Sequence, residues 1–437
     1  MSEISPVPVI IDTDPGVDDV LALLLALSSP HLLVVGITLT HGNCTLASTE
    51  KNLEKMFYAL EKHLEQTNEK ERWRGVTDKE WRKKHGAEEK IKVWKGCEGP
   101  VVGQAVTAKY FHGQDGLADC ETRHPDLTPP STYQSSLYTL SSDSALEGLS
   151  SLLASRPSDL PKLAYIALGP FTSLAQLSER VDLAQSFEPI LSMGGAVEHP
   201  GNTTPVAEFN YYADPWAART LFSLSLPNLY VFPLDITTYL TLPFSLYASS
   251  IDPTFSSTKQ PSEPTNKDPL VHFTSSFLEG TKEVMESFGG DEMELHDPTV
   301  VFALIEWARS KGKKSEVNGT GGEGARGGEL AKGWEWKRVD FEVECEGTLT
   351  RGMLVLDHRA SSKSATSITS RTGQTNRALA IEEHLALDVP EVEARRAEKK
   401  RKLDEEKKVS GARVVVSSPG SEVMRKEMLE RVWGIGA

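Results

Sequence analysis

Short, continuous apolar runs alternate along this chain with longer segments of helical character. Val7 to Ile11 precedes Val17 to Leu27, Leu32 to Leu39 precedes Leu46 to Leu60, and Leu163 to Leu168 precedes Thr172 to Leu183. Ile190 to Met193 and Leu229 to Leu234 are further apolar runs. Strands without polar alternation belong to a parallel sheet covered on both faces, and strand-then-helix repeats build such sheets. The pattern predicts an α/β fold, a single large doubly wound domain with a mostly parallel central sheet. Its active site is expected at the carboxyl edge of the strands, where open α/β sheets bind ligands.

At 437 residues, length alone would allow two or three domains. The rhythm instead predicts one domain over residues 1–359, with insertions at about 61–95 and 311–333. The first insertion is dense in Glu, Lys, Arg and Trp and reads as an extended helix plus a solvated stretch. The second has six glycines between Gly319 and Gly328 and reads as a disordered loop. Residues 360–411 are Ser/Thr-rich and then mix charge from Glu391 to Lys408. Within 412–437, Ser417 to Trp433 carries Val423, Met428, Leu429 and Val432 at near-helical spacing, predicting a closing helix docked on the core.

The net charge of −15 disfavours nucleic acid or an anionic membrane as the main partner. No run approaches about 18 apolar residues, and no basic segment precedes an apolar one at the N-terminus. Cys44, Cys97, Cys120 and Cys345 have no metal or redox spacing and fit reduced thiols in a cytoplasmic protein. The Asn-x-Thr sequons at Asn43, Asn202 and Asn318 are then read as unmodified. Lys399 to Lys402 would make only a weak nuclear signal.

Chemistry concentrates in Asp12-Thr13-Asp14-Pro15-Gly16-Val17-Asp18-Asp19, where an apolar strand gives way to an apolar helix. Asp12 and Asp14 could cap turns, and Asp18 and Asp19 could favour the positive end of the helix dipole. All four together repel unless they share a cation, and hard oxygen ligands select Ca²⁺ or Mg²⁺. An EF-hand loop fits poorly, since Leu23 stands where its bidentate Glu belongs.

The Asp-x-Asp-Pro-Gly-x-Asp-Asp run resembles the signature of the nucleoside hydrolases, Ca²⁺ enzymes that cut the N-glycosidic bond of ribonucleosides in nucleoside salvage. Further segments resemble that family in its own order: Thr40-His41-Gly42-Asn43, His112-Gly113-Gln114-Asp115-Gly116-Leu117, Leu168-Gly169-Pro170-Phe171-Thr172, Met193-Gly194-Gly195, Asn202, Glu208-Phe209-Asn210, Asp214-Pro215 and His296-Asp297-Pro298. The resemblance covers about residues 7 to 309 and resumes weakly from Gly347 to Gly352. It implies that Asp14, Asp19, Asp297 and the Leu168 carbonyl ligate Ca²⁺, with the ribose 2′ and 3′ hydroxyls and a water completing the shell. Asp14 would be the general base. Asp18, Asn43 and Asn210 would hold the ribose hydroxyls, Asn202 and Glu208 the 5′ end. Phe209 and His112 would line the pocket, and His296 would protonate the leaving base.

Those roles suit the reaction. Cleavage develops oxocarbenium-like charge on the ribose, which an acceptor-rich pocket stabilises more than the neutral substrate. A departing base leaves more readily when a group such as His protonates it. Two other readings differ in class. Asp12-Thr13-Asp14 also resembles a haloacid-dehalogenase-type phosphatase, although Gly16 stands where that family has Thr or Val. A non-catalytic ribose-binding protein is the other. A small-molecule ribonucleoside is the expected partner and a homo-oligomer the expected assembly, while the preferred base is left open.

Overall fold

The computed structural model describes residues 5–311, 329–357 and 411–436. Its strands are β1 Val7–Thr13, β2 Leu32–Leu39, β3 Ile91–Lys95, β4 Tyr138–Ser144, β5 Leu163–Ala167, β6 Phe187–Met193, β7 Leu229–Phe232, β8 Thr241–Pro243, β9 Glu292–Glu294, β10 Glu329–Ala331, β11 Trp334–Val339, β12 Glu342–Val343, β13 Leu354–Val355 and β14 Ala412–Val415. Ten of them form one sheet in the order β10-β11-β14-β7-β6-β5-β1-β2-β3-β4. Every pairing from β14 to β4 is parallel, and β11 and β10 extend that edge antiparallel. The mostly parallel α/β sheet is the one the apolar rhythm predicts.

From β1 the chain moves outward through β2, β3 and β4, then returns to the other side of β1 with β5, β6 and β7. Strand order therefore reverses between β1 and β5, the place where doubly wound sheets open a crevice for ligands. Asp12 pairs with Ala167, and the Leu168 N–H donates to the Asp12 carbonyl at 2.8 Å. Residues 13–16 and 168–170 thus leave the sheet side by side.

The two faces of the sheet carry separate core layers. Val9 and Ile11 pack with the helix Val17–Ser28 on one face, and Ile10 packs with Leu33, Val35 and Tyr165 on the other. Every residue of Val17–Ser28 is buried, because the helices His296–Lys311 and Ser421–Trp433 cover its outer side. That sandwiching explains why this helix is apolar nearly all round.

Residues 61–95 differ from the solvated insertion read from the sequence. Trp73, Trp81 and Arg82 are buried, and Ile91–Lys95 is a strand of the main sheet. The Arg82 guanidinium donates to the carbonyls of Val34, Gly75 and Glu88 at 3.1, 2.6 and 2.8 Å, so a charged side chain stitches this segment to β2. The closing helix buries Met428, Leu429 and Val432 as expected, whereas Val423 is 46% exposed and Met424 takes its place in the apolar stripe. The Gly-rich stretch up to 328 and residues 358–410, with Lys399 to Lys402, lie outside the described residues. Among the described residues no helix is long and apolar enough to cross a membrane.

Met428 is fully buried in the layer beneath the first helix. Met428→Ala should cost about 2–5 kcal/mol, the usual range for such a truncation, read as a shift in the urea unfolding midpoint. A change below about 0.5 kcal/mol, the scale of ordinary surface substitutions, would mean the closing helix is only loosely docked.

Candidate active site

Strand β1 ends at Thr13, and Asp14-Pro15-Gly16 turns the chain into the first helix. Asp19 locks that turn. Its Oδ1 accepts from the Thr13 hydroxyl and from the Asp14 N–H at 3.1 Å, and its Oδ2 accepts from the Gly16 N–H at 3.0 Å and Asn43 Nδ2 at 2.8 Å. The same carboxylate therefore caps the helix and faces the cleft. Asp14 Oδ2 accepts from the Asn43 N–H at 2.6 Å, while its Oδ1 is buried with no hydrogen-bond partner. Glycines wall this side chain. A Cβ on Gly169 would lie 2.5 Å from Asp14 Oδ1, and one on Gly42 would overlap Oδ2.

Asp297 arrives from the opposite direction, in the first turn of His296–Lys311. Asp18, Asp19 and Asp297 each place an oxygen within 4.8 Å of the other two. Burial, and then the charge of Asp19, push the Asp18 carboxyl up to about 7. Burial and neighbouring carboxylates likewise hold Asp14 and Asp297 well above the usual carboxylate range. An all-oxygen, multiply acidic and partly unsatisfied donor set suits a hard divalent cation. Asp18 is a member of the trio, and Asp14 adjoins it through its N–H bond to Asp19.

The other candidates surround this cluster in two ways. Asn210 Nδ2 donates to the Leu168 carbonyl at 2.6 Å, so that carbonyl is already oriented. Glu208 caps the helix Phe209–Ala213, accepting from the N–H groups of Asn210 at 2.7 Å, Gly195 at 2.8 Å and Tyr211 at 3.2 Å. Asn202 is exposed, and its Oδ1 accepts from the Phe209 N–H at 2.9 Å. Phe209 itself is buried in a small cluster with Ala108 and Ala213. His112 Nδ1 accepts from the Val17 N–H at 3.3 Å, and burial lowers that imidazole to about 4, so it is neutral.

His296 has partners that no motif announced. Its Nδ1 lies 2.8 Å from the Thr237 hydroxyl and its Nε2 3.0 Å from Glu294 Oε2. Burial opposes the imidazolium, but the Glu294 bond and charge, aided by Asp18 and Glu208, raise its pKa above the ordinary value. Glu294 sits two residues upstream in β9, and Thr237 ends the short helix Leu234–Thr237, which only the fold brings to the imidazole. Asp12 is set apart from the cluster: it is fully buried and accepts from the Thr38 hydroxyl, and burial pushes its carboxyl up to about 7. A nucleophilic role of the phosphatase kind has no support in that placement.

The family model for inosine-uridine preferring nucleoside hydrolases matches residues 9–68 and 79–384. The chain belongs to this family of hydrolases, and is an enzyme of that class. The break in the match falls within the segment that carries Trp73 and Val76. The pyrimidine-specific ribonucleoside hydrolase RihA of Salmonella typhimurium is 30% identical over 352 residues, 80% of this chain and 88% of that protein. A probable uridine nucleosidase 2 of Oryza sativa subsp. japonica is 30% identical over 301 residues, 68% of this chain and 73% of the relative. The solved plant nucleoside hydrolase PpNRh1 shares the fold with a TM-score of 0.61 at 20% identity, covering 98% of this chain and 99% of its own.

Crowded acids make stability depend on pH. Asp12 and Asp18 have folded values near 7 against 3.8 unfolded, so the folded chain holds extra protons below that point and loses them as pH rises through it. Chelator-treated protein should therefore melt at a lower temperature at pH 8 than at pH 6.5, and excess divalent cation should recover the part that comes from Asp18 but not the part from Asp12. A melting temperature flat across this window would show the acids are not crowded as described.

Proposed function

We propose that this chain hydrolyses the N-glycosidic bond of ribonucleosides to ribose and free base, with Ca²⁺ as its cofactor. The observation that carries the reading is the buried, unpartnered Asp14 Oδ1 beside three carboxylates whose oxygens crowd together. Asp14, Asp19, Asp297 and the Leu168 carbonyl would hold the ion, with Asp18 at its margin. When bound, such a cation lowers the pKa of the attacking water and orients the ribose.

The chain's own groups do the rest. Asp14 takes the proton of the attacking water at Oδ1, since Oδ2 is committed to Asn43. Asp18, Asn43 and Asn210 present polar atoms to the ribose hydroxyls, and Asn202 and Glu208 approach the 5′ end. His112 and Phe209 line the pocket; the neutral His112 adds no positive charge where the sugar becomes cationic. His296 protonates the leaving base. Glu294 keeps Nε2 occupied, so the proton to be released is on Nδ1, now beside the neutral Thr237 hydroxyl. Relatives named for uridine and pyrimidine specificity favour uridine and cytidine as first substrates.

Purified protein should release free ribose from uridine. 2′-Deoxyuridine should be slower by up to roughly 10⁴-fold in kcat/KM, because polar groups built for the missing hydroxyl stay unpaired. Ribose release from none of uridine, cytidine, inosine, adenosine and guanosine, or equal rates on the deoxy analogue, would refute the assignment.

A further inference from the structure

We propose that His124, Asp126 and His272 form a second metal site, separate from the acidic cluster, that takes a borderline divalent transition cation such as Zn²⁺. One donor atom from each lies within 4.8 Å of the other two. His124 and Asp126 sit at the turn after the short helix Cys120–Arg123, and His272 is in the helix Pro269–Ser287. The two imidazole rings meet edge-on with centroids 5.4 Å apart. Two imidazoles and one carboxylate are the donor set of Zn²⁺ and similar ions, in contrast to the all-oxygen set at the head of the first helix.

The surroundings are built as a ligand shell would be. His272 Nε2 is 2.8 Å from Asp126 Oδ2, while its Nδ1 is 3.0 Å from the Ser262 hydroxyl, which can take the Nδ1 proton and leave Nε2 as the ligating nitrogen. Glu279, fully buried, accepts from the Ser262 N–H at 2.6 Å and pairs with Arg123 at 3.2 Å and His124 Nε2 at 3.4 Å. Two cations adjoin the site and each has a carboxylate partner. Arg123, whose Nη1 is 3.3 Å from His124 Nε2, pairs with Glu279, and Lys267, which donates to the Ser262 hydroxyl at 2.7 Å, pairs with Asp252 at 2.7 Å. The His124 nitrogen open to a metal is therefore Nδ1. Binding would shift the single proton of the neutral His272 from Nε2, where it now faces Asp126, to Nδ1, where the Ser262 hydroxyl accepts its hydrogen bond, with no net proton released.

The site is also reachable. Asp126 and His272 line an open cavity of about 630 Å³. The Asp126 side chain is 43% exposed there. Three protein ligands, two of them at the wall of this cavity, leave a fourth position for water, the arrangement of an open rather than a closed zinc site. Without a cation, the same side chains would simply tie residues 120–127 to the helix Pro269–Ser287.

The test is Zn²⁺ titration of the full chain in excess Ca²⁺, by calorimetry, with Co²⁺ as a spectroscopic stand-in. One equivalent should bind, survive Asp297→Asn, and give the visible bands of imidazole-ligated Co²⁺. His272→Gln should weaken Zn²⁺ by more than about 10²-fold and Ser262→Ala by roughly 10- to 100-fold, the range for an outer-shell partner. Uridine turnover by His272→Gln should match the parent enzyme. Zn²⁺ affinity unchanged by His272→Gln, or binding that Asp297→Asn removes entirely, would overturn the proposal. If His272→Gln does not fold, an all-oxygen octahedral Co²⁺ spectrum from the parent chain would overturn it equally. Loss of this second site alone would leave the reading of the acidic cluster standing.

Discussion

Carboxylates that repel one another, held together with almost no exposed surface, are the constraint around which this molecule is arranged. At about 4 Å each pair of unit charges costs on the order of 1 to 4 kcal/mol, depending on how much solvent screens them. Asp14, Asp18 and Asp19 come from one turn and Asp297 from a helix nearly 280 residues later. Only a fold that over-determines their positions keeps them there. The reversal of strand order opens the space, the Asn43 amide and the Thr13 hydroxyl fix the oxygens, and Gly42 and Gly169 let backbone approach where a side chain would collide.

Energy for that arrangement comes from the layers beneath it. The first helix carries Asp18 and Asp19 at its start and is buried along its whole length, so the two acids cannot swing away without disturbing a packed layer. The helix Ser421–Trp433 covers that helix from outside, and Arg72 donates to the carbonyls of Arg431 and Val432 at 2.9 and 2.7 Å near its end. Strand β14, just before it, pairs with β7 and places the C-terminal segment within the main sheet. Chain far from the site in sequence thus supports the element that presents the acids.

Much of this was legible from residues alone, for a physical reason. Buried parallel strands such as β1, β2 and β5 need unbroken apolar runs, and a charge cluster at a strand end has few uses. Legibility failed where a strand lies at an edge, as β4 does, or next to one, as β11 does. β4 is mostly exposed, and β11 mixes Trp334 and Trp336 with Glu335, Lys337 and Arg338, so neither shows the pattern of a buried strand. The burial of Trp73 and Arg82 was hidden by the charge around them. A contact between distant segments, such as Thr237 on His296, has no local signature at all. At the closing helix the face is set by Met424, Met428 and Val432 at i, i+4 and i+8, and Val423, five residues before Met428, falls off it.

On the proposed function, the carboxylate cluster works only when a cation is shared among its members. Ribose release from uridine, measured before chelation, after exhaustive chelation and after Ca²⁺ is restored, tests it most directly. The account predicts that chelation lowers kcat by at least about 10²-fold, since orientation and charge are lost together, and that Ca²⁺ returns the full rate. Undiminished turnover in the metal-free enzyme would contradict it.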